Sequence, residues 1–483
     1  MKTDTAGKRA VSFPVYHQKK EREGPYLIKR TVKKIAEMVK GTLTNPQYEN
    51  TVIHGVATDT RKLESNQLFI PLKGEHFNGH TFVPQAFEAG VSAVLWNRSE
   101  PNPPENQAVI LVEDTLSALQ QLAKAYLQEL GTRVIGVTGS NGKTTTKDMI
   151  HTVLQTRYRV HKTGGNFNNH IGLPLTVLAM PEDTEIAVLE MGMSAKGEID
   201  LLSRLANPDA AVITNIGESH MQDLGSREGI AEAKLEIING LKEDGVLIYI
   251  GDEPLLQKDY SCQTKTYGTG AQNDYQLQDV SQSEAGTYFT IKGIEKTFFI
   301  PILGKHNVMN AMAAIAAGAY FGITPEDAAK GLSGLKVTGM RLELMKTDSG
   351  ISIINDAYNA SPTSMKAAIQ LTESLEGYGK KIVVLGDMLE LGDLEETFHK
   401  ECGAVISPDK IDHVFTYGKL GAFIAEGAME HFREERISHF SDKKDLTQAL
   451  KNKASKGDLV LFKASRGMKL EEIVKDLMES PFS

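Results

Sequence analysis

The chain has 483 residues, 41% of them hydrophobic and 24% charged, a composition that buries ordinary cores and, by length, about three of them. Its 53 basic and 62 acidic residues leave a formal charge of −9, which argues against the global basic field of a nucleic-acid binder. Two widely separated cysteines, Cys262 and Cys402, argue against a disulfide framework or a cysteine-built zinc site and read as buried thiols.

Residues 1–28 are polar and charged, without the apolar stretch of roughly 7–15 residues that a secretory signal needs, and no later segment approaches a membrane span. The expectation is a cytoplasmic protein, without membrane insertion, that opens with a weakly ordered polar extension. From 29 to 130 the reading is a small α/β unit. "TVKKIAEMVKG" places Val32, Ile35, Ala36 and Val39 on one helical face, with Lys40 in the last turn and Gly41 as a stop. Short strands follow in "VIHGVATDTR" and "QLFIPLKG", then a helix and a strand in "TFVPQAFEAGVSAVLW".

A second unit, 131–340, alternates strands ("RVIGVT", "IAVLEMG", "AAVITNIG") with helices ("KTTTKDMIHTVLQT", "HNVMNAMAAIAAGAYFG"), the pattern of a parallel, helix-covered sheet. A third, 341–483, repeats it in "SIINDAY", "KIVVLGDM", "HVFTYG" and "LVLFKAS". Asp356, Asp387 and Ser465 fall at strand carboxyl ends, where open α/β sheets bind ligands. The fold class is therefore α/β in three domains.

The segment "TGSNGKTTT" follows an apolar strand and opens a helix. It fails the usual phosphate-loop template, because the position that should be glycine is Val137. Its context still suits an anion: Gly139 and Gly142 let successive amides of Ser140, Asn141 and their neighbours curl around a phosphate at a helix N-terminus. Lys143 can neutralise the β- and γ-phosphates, and Thr144, followed by Thr145, can place a hydroxyl on Mg²⁺. The alternative is a tight turn with no ligand. Glu190 ends a neighbouring strand and can reach the same metal, or sit as a solvated rim residue. His220 ends another strand and, as a lone histidine, reads as a satisfied polar residue before a ligand. Lys234, flanked by Glu232 and Glu236 in "AEAKLEI", reads as an exposed helix lysine. Asn307 and Asn310, three apart at a helix start, can present amides to adenine or simply cap the helix.

Taken together, "TGSNGKTT", "GNFNNHIGLPLT", "LEMG", "AEAKLEI", "HNVMNAMAA", "GMRLE", "NDAYNASPTSM", "LGDMLELG" and "KASRG" resemble the Mur ligase family, the ATP-dependent amide-forming ligases of peptidoglycan synthesis. The odd loop spacing is that family's. "GNFNNHIG", "NDAYNASPTSM" and "LGDMLELG" are most similar to the branch that joins D-alanyl-D-alanine to UDP-MurNAc-tripeptide through an acyl phosphate. The resemblance implies a UDP-sugar-binding first domain, a central ATP-binding domain and a Rossmann-like third domain.

By that resemblance Gly139 to Thr145 hold ATP, Thr144 and Glu190 hold one Mg²⁺, and His220 helps bind a second. Lys234 matches a lysine carbamylated by CO₂, Asn307 and Asn310 read adenine, and Arg341 and Asp356 close from the third domain onto γ-phosphate and ribose. Lys143, Lys234, His220 and Arg341 are the implied catalytic groups. Asn168, Asn169 and Tyr358 would line the substrate channel. Thr58, Asp59, Thr60, Arg61, Lys73, Gly74, Phe77, Asn78, Gly79 and His80 would contact the UDP moiety, with Asp387, Lys463, Ser465 and Arg466 on the dipeptide. A monomer is expected.

Overall fold

The computed structural model describes residues 28–283, 285–336 and 339–479. Residues 1–27 of the expected extension lie outside these. Ile28, assigned to that extension, is instead fully buried, and its amide donates to the Leu178 carbonyl at 2.9 Å.

The first sheet runs Thr42–Leu43, Val109–Val112, Ala93–Asn97, Leu68–Phe69, Val56–Ala57, parallel except at its first pair. The helix Val32–Met38 leads into it, capped by the Thr31 side chain. It ends before Lys40, which the sequence reading put in its last turn. Lys40 takes φ 52°, and the Lys40 and Gly41 amides return to the Glu37 and Ala36 carbonyls, a left-handed cap that satisfies the last turn. The left-handed residue is the lysine. Gly41 is needed for a different reason, since a Cβ there would meet Ile110 at 2.6 Å.

Among the described residues nine strands form the central sheet, with Arg133–Thr138 between Ile186–Glu190 and Ala210–Ile213 and all three parallel. Alternate residues feed opposite cores: Val134, Ala187, Leu189 and Ala211 pack on one face, Ile135, Val137, Val188 and Val212 on the other, as expected for strands buried on both sides. The first of these clusters continues into the first domain through Tyr126, Leu122 and Val32, so those two domains share apolar packing. The sequence reading expected a parallel sheet throughout. Its far edge is in fact antiparallel, built from Tyr275–Ser283, Gly286–Ile291 and Thr297–Ile300, where hairpin connections replace crossover helices.

The third sheet has six strands in the order Glu343–Lys346, Ser352–Asp356, Leu459–Lys463, Lys381–Gly386, His413–Tyr417, Ile437–Phe440, with only the first pair antiparallel. Among the described residues no helix is long and apolar enough to cross a membrane.

Candidate active site

Strand Arg133–Thr138 delivers the chain into a loop that only glycine can follow. Gly139 has φ 146° and Gly142 φ 79°. A Cβ would lie 1.9 Å from the Thr214 hydroxyl at the first and 2.5 Å from Asn310 Oδ1 at the second. The loop is pinned across the sheet: the Asn141 amide donates to Asn215 Oδ1 at 2.9 Å and the Gly217 amide to Ser140 Oγ at 2.8 Å. Helix Lys143–Leu154 then starts with its free amides around the loop. The Lys143 ammonium folds back on the Gly139 carbonyl at 2.7 Å, and burial lowers its pKa, with Glu190 opposing and Arg341 adding to the shift.

The Glu190 carboxylate is held at both oxygens, by the Thr144 hydroxyl at 2.9 Å and by Asn168 Nδ2 at 2.9 Å. Its own amide donates to Thr163 Oγ1. Buried Lys147 lies 3.9 Å from it and donates to the Thr163 carbonyl at 2.8 Å. Among the described residues no three His, Cys, Asp or Glu side chains gather to form a metal cage. One carboxylate and one hydroxyl beside a phosphate loop are instead the donor set of a hydrated Mg²⁺ that arrives with phosphate oxygens.

The carboxyl ends of the central and third sheets face each other across a cavity of about 620 Å³, lined by the phosphate loop, Asn168, Asn169, Glu190, His220, Asn307 and Asn310 from one side and by Arg341, Asp356, Tyr358 and Lys463 from the other. The third domain is anchored there. Ser361 Oγ donates to Asn141 Oδ1 at 3.2 Å, and the Thr363 hydroxyl donates to the Glu218 carboxylate at 2.7 Å. The Arg341 guanidinium sits 4.2 Å over the Tyr358 ring. Two buried donors of the lining, Asn141 Nδ2 and Arg341 Nε, have no hydrogen-bond partner. Buried donors left open in this way are expected where a ligand supplies the acceptor.

Lys234 overturns the reading of an exposed helix lysine. It is 1% exposed on helix Arg227–Leu235. Glu232 pairs with Lys196 at 2.7 Å, and Glu236 accepts from the Gly197 amide at 2.8 Å. Residues two apart on a helix point to different sides, so neither carboxylate reaches it. Burial drives the Lys234 pKa well below its ordinary value, and nearby Lys143 pushes the same way. The pKa of His220, at φ 64°, is also lowered, chiefly by burial and then by Lys143, with Glu390 opposing.

The other expected residues divide between cavity and scaffold. Asn310 Nδ2 donates to Asn307 Oδ1 at 3.1 Å, and Asn307 Nδ2 to the Leu303 carbonyl at 2.7 Å, leaving Asn310 Oδ1 against Gly142. Asn169 accepts from the Gly172 amide at 2.8 Å. Asp356 Oδ2 accepts from Lys463 Nζ at 2.5 Å. Asp387 accepts from the Gly421 amide at 2.7 Å and Ser465 from the Leu389 amide at 2.9 Å, so both tie strand ends together. Arg466 pairs with Glu471 at 2.9 Å.

The first-domain candidates follow the carboxyl ends of adjacent parallel strands. Asp59 pairs with Arg61 at 2.8 Å, Lys73 with Glu100 at 2.8 Å, and Asn78 donates to Glu100 at 2.9 Å. Gly79 could not carry a Cβ, which would meet the Leu72 carbonyl at 2.6 Å. Phe77 is exposed, whereas His80 is buried edge-on to Trp96. Thr58, Thr60 and Gly74 complete these two loops. None of the first-domain candidates lines the cavity. Cys402 is buried as expected, Cys262 only partly.

Sequence reasoning passed over Lys147, Thr163, Glu218 and Thr363. Lys147 alone carried a signal, as a charged residue beside Met149 and Ile150 on a helix with a buried apolar face.

Three family models match in chain order: "Mur ligase family, catalytic domain" over 52–127, "Mur ligase middle domain" over 137–318 and "Mur ligase, glutamate ligase domain" over 340–466. A UDP-N-acetylmuramoyl-tripeptide–D-alanyl-D-alanine ligase of Bacillus subtilis (strain 168) is 89% identical over 457 residues, covering 95% of this chain and 100% of that protein. The crystal structure of MurF from Acinetobacter baumannii superposes with a TM-score of 0.86 at 31% identity, over 94% of this chain and 100% of that one. MurF ligase from Thermotoga maritima, solved in complex with ADP, superposes with a TM-score of 0.78 at 30% identity, over 88% of this chain and 97% of that one. With models matched in all three domains and a relative this similar along nearly its whole length, the chain belongs to the Mur ligase family.

Proposed function

We propose that this enzyme joins D-alanyl-D-alanine to UDP-MurNAc-tripeptide, with ATP converted to ADP and phosphate, in peptidoglycan precursor synthesis. The observation that carries the reading is the single cavity in which the phosphate loop and Glu190 face Arg341, Asp356 and Lys463 of the third domain. The 89% identity to a ligase of that name supports it.

A carboxylate is a poor electrophile, so its oxygen first attacks the γ-phosphorus of ATP, giving an acyl phosphate and ADP. The dipeptide amine then adds to the acyl carbon, and the tetrahedral intermediate collapses with loss of phosphate and a proton. Positioning and charge neutralisation dominate such transfers. Lys143, Arg341 and the loop amides meet the phosphates, with Asn141 Nδ2 and Arg341 Nε as donors still open. Asn307 and Asn310 border the adenine side and Asp356 the ribose side. Thr144 and Glu190 would hold one Mg²⁺ and His220 would share a second; the ions supply charge neutralisation between the two anionic reactants. Lys234 has the chemistry needed for carbamylation, since a buried amine whose pKa is lowered is nucleophilic toward CO₂ and the product anion would lie near Lys143.

Asn168, Asn169 and Tyr358 border the path of the tripeptide, and the loops at Thr58–Arg61 and Lys73–His80 take the UDP end. Lys463 and Arg466 are the candidates for the dipeptide carboxylate, with Asp387 and Ser465 setting the loops around them. The three-domain division near 130 and 340 agrees with separate sheets and separate family models. We read the enzyme as cytoplasmic, and as a monomer because residues of one chain line both sides of the cavity.

The test is ADP release with Mg-ATP and UDP-MurNAc-tripeptide, with and without D-alanyl-D-alanine, while product masses are read in parallel. Acceptor-dependent release and a product heavier by one dehydrated dipeptide are expected. Release that ignores the acceptor, or that needs a single amino acid instead, would refute the reading. Lys143→Ala should abolish turnover while UDP-ligand binding persists.

A further inference from the structure

The segment "LGDMLELG" contains a carboxylate that the mechanism above leaves unused. Glu390 follows strand Lys381–Gly386 and takes φ 66°, a conformation uncommon outside glycine and kept only where surroundings fix it. Here the surroundings belong to the central domain. The Glu390 carbonyl accepts from the Gln222 amide at 3.3 Å. Two residues on, Gly392 has φ 64°, and a Cβ there would sit 3.3 Å from Gln222 Cα. Between these contacts the Glu390 carboxylate reaches back, with Oε2 2.7 Å from His220 Nδ1. His220 also has a left-handed backbone. Two strained residues from different domains therefore meet side chain to side chain at the edge of the cavity.

We propose that Glu390 is a positioning residue for the second divalent cation: it takes Nδ1 of His220 and leaves Nε2 as the ring nitrogen for the ion. This rests on the reading of His220 as a metal ligand. A carboxylate behind a ligating histidine fixes its tautomer and orientation and strengthens it as a donor. It also offsets Lys143, whose charge opposes a cation at this point. The 2.7 Å contact lies off the N–H axis, since Nδ1 makes no aligned hydrogen bond, and contacts of this kind commonly align only in the loaded complex. Because Glu390 rides on the third domain and His220 on the central one, cation binding and domain closure are linked. Each favours the other by the same factor.

The test uses the full-length protein with ADP, titrated with Mn²⁺ while free Mn²⁺ is followed by electron paramagnetic resonance. His220→Ala serves as the reference. Glu390→Gln keeps shape and removes charge, and at 58% side-chain exposure it should leave the melting temperature unchanged. The expected result is one class of Mn²⁺ site weakened about 10- to 100-fold, the class lost in His220→Ala, with the other class intact. Wild-type affinity in Glu390→Gln beside a loss in His220→Ala would overturn the proposal alone. Equal loss at both classes would mark a general distortion and also overturn it. Wild-type binding in His220→Ala would remove the metal reading underneath.

Discussion

Lys234 lies in a helix between two glutamates that serve other partners, and its amine is enclosed, with the charge of Lys143 acting on it. A buried, depressed lysine binds fewer protons than the unfolded chain does, so the unfolded state is favoured as pH falls. Between the native pKa and the ordinary 10.5, stability should rise with pH and reach its full value above the unfolded pKa. In CO₂-free buffer Lys234→Met should flatten this slope and stabilise the protein at neutral pH by about 1 kcal/mol or more, read from urea midpoints at several pH values. The same residue should be costly to lose in catalysis. Lys234→Ala is expected to reduce turnover by on the order of 10²–10³-fold, and short-chain carboxylates should restore part of it. Full activity in Lys234→Ala would end the carbamate reading.

At the scale of the element, the phosphate loop is a strand-to-helix connection whose geometry leaves no room for a side chain at two places. Gly139→Ala puts a methyl group onto Thr214, a β-branched residue on a buried strand end that cannot withdraw. Gly142→Ala meets the movable end of Asn310 but keeps the strain of φ 79°. Each should lose about 1–3 kcal/mol of stability, Gly139→Ala the more. Calorimetry with ADP should show weaker binding in both, because the loop amides no longer converge. An alanine at 139 that binds ADP like the wild type would show that the loop has another route.

Across the whole molecule, the third domain touches the central one through small polar latches. Thr363 on Glu218 and Ser361 on Asn141 can form only when the domains are closed. Thr363→Val removes an exposed charge-assisted contact worth about 1 kcal/mol, which should lower kcat about fivefold while leaving ADP affinity unchanged, since closure follows nucleotide binding. An equal fall in ADP affinity would show that nucleotide binding is itself coupled to closure.

Much of this was legible along the chain. Strand–helix alternation, glycines at a strand end, and polar residues Asp356 and Glu190 closing apolar runs are local patterns, so the α/β class and the phosphate loop followed from order alone, whereas Asn168, Arg341, Tyr358 and Lys463 entered only through the family resemblance. Local pattern is also why Lys234 was misread: its neighbours in sequence describe a solvated helix, and only packing against the central sheet buries it. The antiparallel edge at 275–300 needed strand pairing to be seen, because alternation of side chains is the same in both directions. His220 and Glu390 stand 170 residues apart and meet through domain docking, a contact that no spacing encodes. Sequence by itself determined which groups stand at the strand ends. The tertiary structure decided which are buried, which are already satisfied by neighbours, and which remain open toward a shared cavity, because desolvation and pairing depend on what packs alongside.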